Sequence, residues 1–119
     1  MVEDSSTPNR RTQRRRTLNG VVNVVNQFDG ALLGRLVNIT TEGLMLVNAK
    51  PLATDTLYKA ALELPEALNN MTRIELGMDC LWTSPTHPDA DMYWSGCHII
   101  DVSEEMFNTL TVLIENFGD

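Results

Sequence analysis

Residues 31–49 read ALLGRLVNITTEGLMLVNA, two apolar halves around the polar centre Asn38-Ile39-Thr40-Thr41-Glu42-Gly43. Each half is rich in Leu and Val, side chains that suit a half-buried pleated surface. The stretch therefore predicts one strand over 31–39, a polar stop, and a second strand over 43–49. What lies on either side has the same grammar. Upstream, LNGVVNVVNQF at 18–28 predicts a strand, and Asp29-Gly30 supplies the turn that joins it to the strand at 31–39.

Downstream, TLYKAALEL at 56–64 alternates. Leu57, Lys59, Ala61 and Glu63 share one parity, and Tyr58, Ala60, Leu62 and Leu64 share the more apolar one. Pro65 is expected to end this strand, with PEALNN at 65–70 as the connection. MTRIELGMDCLW at 71–82 sets Ile74, Leu76 and Met78 against Arg73, Glu75 and Gly77 and predicts a further strand. SPTHPDAD at 84–91 reads as loop, and MYWSGCHIIDV at 92–102 closes the β series. Only the tail changes period: Met106, Phe107, Leu110, Leu113, Ile114 and Phe117 recur at spacings of three and four. Ser103 fits an N-cap, Glu104 and Glu105 suit the first turn, and Gly118 fits a terminator, so a helix is predicted over about 103–117. The expected class is all-β: six antiparallel strands curled into a barrel, with a C-terminal α-helix covering an opening or a face.

The chain has 119 residues, 43% of them hydrophobic, enough for one core. Residues 1–9 are expected to form a flexible arm and 10–119 a single domain. No apolar run is long enough to span a membrane, and the N-terminus has no apolar signal segment, which sets the expectation of a soluble cytoplasmic protein. Cys80 and Cys97 sit in apolar runs without CxxC spacing and are expected as buried, reduced thiols. His87 and His98 lie eleven apart without a local cluster, so no metal site is expected. Ser/His/Asp order, paired catalytic carboxylates and a phosphate-binding Walker loop are all missing, which argues against an enzyme. Trp82, Tyr93 and Trp94 are expected to pack the barrel, and the apolar helix stripe to be core.

Charge divides the chain more sharply than its total of −7 suggests. Arg10, Arg11, Arg14, Arg15 and Arg16 outweigh Glu3 and Asp4, giving +3 over residues 1–16. Residues 17–119 carry four basic against fourteen acidic side chains, hence −10. Such a body repels duplex nucleic acid, and the pattern favours a small anion over a polymer.

Two motifs stand out. Arg11 and Arg15 form an RxxxR pair, with Arg10 and Arg14 as a second register, and Asn38-x-Thr40-x-x-Gly43 follows twenty-three positions after Arg15. In this order they resemble the PilZ domain family, marked by RxxxR and, some twenty to thirty residues later, [D/N]xSxxG. The strand YWSGCHIIDVSEE also resembles the family's YxxGxxF strand running into its last helix, so the resemblance covers residues 10 to 117. It implies a six-stranded split barrel that binds cyclic di-GMP, with Arg10, Arg11, Arg14, Arg15, Asn38, Thr40 and Gly43 as ligand residues and no cofactor. Guanidinium suits that ligand: planar and permanently charged, it forks onto phosphates and guanine O6 and N7 and stacks on bases. Asn38 stands where the family also allows Asp, and Thr40 where Ser is usual.

On this reading the chain is a receptor or adaptor that orders its arginine segment on the messenger and signals to an unknown protein effector in motility, biofilm or surface behaviour. The alternatives are a PilZ-like interaction adaptor that binds no nucleotide, and a nucleic-acid binder using the basic arm. Oligomeric state, monomer or dimer, stays open.

Overall fold

A computed structural model describes residues 20–117. Its strands are β1 Asn23–Asn26, β2 Leu32–Ile39, β3 Gly43–Asn48, β4 Leu57–Leu68, β5 Met71–Pro85 and β6 Tyr93–Asp101, followed by helix α1 Glu104–Asn116. The strands close into one antiparallel barrel in the order β1-β2-β3-β6-β5-β4, with β4 returning to β1. The short first strand completes the cylinder, because Asn23 pairs with Arg35 of β2 on one side and Glu63 of β4 on the other. Closure gives every strand a paired neighbour on each side. The class expected from the sequence is the one observed.

Strand lengths differ from the expected ones for identifiable reasons. The β1 ladder begins at Asn23, although the carbonyl of Val22 still accepts from the N–H of Leu36 at 2.9 Å. Pro65 does not end β4, which continues to Leu68. The β1 partner stops at Glu63, and the β4–β5 register is irregular between Glu63 and Leu68, so the missing N–H of Pro65 interrupts no ladder. The turn itself is Asn69-Asn70, with φ of 50° and 63°, the left-handed pair that a two-residue hairpin requires. Ser84 and Pro85, expected as loop, extend β5 and pair with Trp94 and Tyr93.

Period-two alternation builds the core. Ala60, Leu62 and Leu64 of β4 and Ile74, Leu76 and Met78 of β5 are buried, whereas Lys59, Glu63 and Glu75 are exposed. Residues Leu36, Leu44, Leu46 and Ile99 fill the cylinder from the other strands. The helix closes it: Leu110 and Leu113 are fully buried against the barrel, with Met106, Phe107, Ile114 and Phe117 partly buried around them. Ser103 caps it, its Oγ accepting from the N–H of Met106 at 3.1 Å, and Glu104 and Glu105 face the positive end of the dipole. The apolar stripe is therefore core.

Candidate functional site

Of the residues expected to hold ligand, Asn38, Thr40 and Gly43 are described; Arg10, Arg11, Arg14 and Arg15 lie outside the described residues. The three cluster at the β2–β3 turn on the outside of the barrel, Asn38 at the end of β2 and Gly43 at the start of β3.

Asn38 reaches the outer face through an irregularity. Leu36 pairs with Leu46 on the inside, and strict alternation would turn Asn38 inward as well. A β-bulge between Leu36 and Asn38 inserts Val37, so that Asn38 pairs with Met45 outside and Ile39 with Leu44 inside. The row continues across two more strands: Met45 pairs with Gly96 of β6, and Gly96 with Trp82 of β5. Asn38, Met45, Gly96 and Trp82 thus stand in one outer line, about 14 Å from end to end at three strand spacings. A second bulge, between Cys80 and Trp82, turns the tryptophan out in the same way.

Trp82 is 43% exposed and does not pack the barrel interior as expected. Its indole lies across Gly96, where a Cβ would collide with Trp82 Nε1. The glycine makes room for the ring, and the ring offers a flat aromatic face at the far end of the row that begins at Asn38. In the sequence, Trp82 and Gly96 are fourteen residues apart, and only the cross-strand pairing joins them.

Two residues further along β3 and β6, a second outer row runs through Gly43, His98 and Asp79. Thr40 sits beside it, its N–H donating to the carbonyl of Gly43 at 2.8 Å. The Thr40 hydroxyl accepts from the N–H groups of Glu42 and Gly43, both at 3.2 Å. The hydroxyl is thereby committed to the turn, which it locks, and is not left free to read a purine edge. Gly43 has a packing reason to be glycine. Its φ lies outside the left-handed region, but a Cβ would meet the carbonyl oxygen of Cys97 at 2.7 Å, so close backbone approach requires glycine there. His98, which the sequence leaves without a partner, has Nδ1 at 3.8 Å from Asp79 Oδ1.

Between the two outer rows runs an inner one of Ile39, Leu44, Cys97 and Cys80, all buried. The cysteines are free and directly opposed. Burial, joined by Cys80 beside it, pushes the Cys97 thiol up to about 12, and burial raises Cys80 as well. Neither thiol is activated.

A separate cleft of about 300 Å³ opens at the start of α1, lined by Gln27, Lys59, Glu75, Asp101 and Met106 among others. It contains none of the motif residues, and its one cation against two carboxylates suits an anion poorly. Among the described residues no group of three or more His, Cys, Asp or Glu could hold a metal ion, and no helix is long and apolar enough to cross a membrane.

No family model matches the sequence, and no curated protein does. Solved structures do resemble it. MrkH from K. pneumonia in its apo state superposes with a TM-score of 0.64 at 14% identity, over 92% of this chain and 51% of that one. The Bacillus subtilis inhibitor of motility MotI/DgrA gives 0.62 at 18% identity, over 87% of this chain and 50% of that one. The chain spans about half the length of each. At such identities the likeness establishes the fold, a PilZ-like closed barrel with a C-terminal helix.

Proposed function

We propose that the chain is a cyclic di-GMP receptor that takes the messenger on the outer face of β2, β3, β6 and β5 and closes its arginine segment over it. The observation that carries this reading is where the chain enters the barrel. Val22 lies opposite Leu36, and β1 runs antiparallel to β2, so going back toward residue 20 leads toward the Asn38 end of β2. Arg15 precedes Gly20 by five residues, which span at most about 17 Å when extended. Gly20 itself packs beside Pro65 of β4, and that length of chain is enough for the arginines to extend toward the Asn38 end of the row.

The row supplies what a guanine nucleotide needs and the arginines lack. Asn38 offers an amide for a base edge, and the Trp82 indole a face on which a purine stacks. The body is acidic, so the phosphates depend on the arginines for counter-charge. Ordering of that segment would create a new surface for an effector, and the structural likeness to an inhibitor of motility makes motility a natural output to test. The activity is binding and relay rather than catalysis.

The second reading, an interaction adaptor without nucleotide, is favoured by one observation: the Thr40 hydroxyl is already engaged within its own turn. Backbone and indole N–H shifts measured during addition of cyclic di-GMP separate the two. The receptor reading expects saturable changes at Asn38, Gly43, Gly96 and the Trp82 indole together with residues 10–16. Unchanged spectra at millimolar nucleotide would leave the adaptor.

A further inference from the structure

We propose that His98, oriented by Asp79, is a further contact for the nucleotide at this site, donating to a phosphate from its imidazolium form, so that messenger affinity rises as pH falls. The assignment rests on the cyclic di-GMP reading above.

Three observations converge on this pair. His98 stands directly opposite Gly43 of the motif turn and is exposed. On its other side it faces Asp79, across β6 and β5. Asp79 Oδ1 is buried and has no hydrogen-bond partner, a state that costs free energy until a donor arrives. His98 Nδ1, 3.8 Å away, is too far for a hydrogen bond, and a small turn of the imidazole brings its Nδ1–H onto that oxygen. An Nδ1–H held by the carboxylate fixes the ring and leaves Nε2 on the solvent side, where the His98 side chain is 53% exposed.

The charges packed around the imidazole explain why protonation matters. From β5 it faces Asp79, and from the turn before β3 Glu42, whose carbonyl accepts from the N–H of Ile99 at 2.8 Å. Beyond β5, Leu57 of β4 stands opposite Asp79, with Asp55 just before it; on β6 itself Asp101 follows. Each of these named charges is negative and repels a dianion. An imidazolium offsets the Asp79 charge beside Gly43, and its Nε2–H then gives a charge-assisted hydrogen bond to a phosphate oxygen. Neutral His98 leaves Nε2 an acceptor, which a phosphate cannot use.

The test is calorimetric titration with cyclic di-GMP at pH 5.5 and pH 8.0, a window in which arginines and phosphodiesters keep their charge. The wild-type chain binds tighter at pH 5.5 by about threefold to fivefold, the size expected for a partly exposed charge-assisted contact. His98→Gln, which keeps a polar side chain of similar reach, loses that gain, and Asp79→Asn reduces it. His87→Gln, which changes the chain's other histidine, keeps it. Circular dichroism on each variant confirms a folded chain. Equal affinity at the two pH values, or an undiminished gain in His98→Gln, overturns the assignment while leaving the receptor reading intact. No binding at either pH overturns both.

Discussion

Two rows cross the same four strands, one residue apart except at the β5 bulge, and they could hardly differ more. Ile39, Leu44, Cys97 and Cys80 face inward and are buried; Asn38, Met45, Gly96 and Trp82 face outward and carry an amide and an open indole. Strand geometry separates the two tasks, because neighbouring residues point to opposite faces. Stability is assigned to one row and recognition to the other, and each can be changed without the other if the separation is real.

The largest effect should come from the interior. Leu46 is 1% exposed, and Leu46→Ala should cost about 2–5 kcal/mol through lost burial and a cavity. Denaturant titration measures this, and the affinity of the folded fraction for cyclic di-GMP should stay unchanged. A parallel loss of affinity would show that the rows are coupled.

Gly43→Ala tests the seam between the rows. The new methyl meets the backbone carbonyl of Cys97, an obstacle that cannot swing aside. A destabilisation of about 1–3 kcal/mol is expected from the forced shift of β3 against β6, accompanied by weakened binding. Full stability in thermal unfolding would remove the close-approach explanation.

Thr40 sharpens the comparison further. Thr40→Val deletes the acceptor of two turn N–H groups and should cost about 1 kcal/mol, whereas Thr40→Ser should be nearly silent. Equal stability of the two variants in thermal melts would return the hydroxyl to direct ligand contact. The smallest effect concerns the thiols. Cys80 and Cys97 should react with a thiol reagent only on unfolding. Because burial lifts Cys97 from the ordinary thiol value of 9.0 to about 12, its contribution to stability is complete below pH 9.0 and is withdrawn as pH rises toward 12. Rapid labelling of the native chain near neutrality would contradict this.

Much of the barrel was legible because alternation in 56–64 and 71–78 maps onto buried and exposed positions, with the small residues Ala61 and Gly77 buried on the outward parity. The two bulges were not. Apolar periodicity assigns Trp82 to the inner face with Cys80, and the extra residue that turns it outward leaves no mark in composition. Pro65 misled for the opposite reason: its local rule was right, but the ladder was already absent at that point. His98 and Asp79, nineteen positions apart, meet only through the β5–β6 register. Asn38, Thr40 and Gly43 were legible as a motif, although the physical reasons for Thr40 and Gly43 came from the turn's hydrogen bonds and the Cys97 carbonyl. The signal that finds such residues is pairing, not periodicity.

Calorimetric titration of cyclic di-GMP into the wild-type chain, Arg11→Ala and Arg15→Ala, with thermal melts alongside, addresses the receptor reading most directly. Saturable heat in the wild type is expected, with a loss of tenfold or more, roughly what removal of one charge-assisted contact gives, in either variant at an unchanged melting temperature. A folded wild-type chain that gives no heat at high micromolar nucleotide would contradict it.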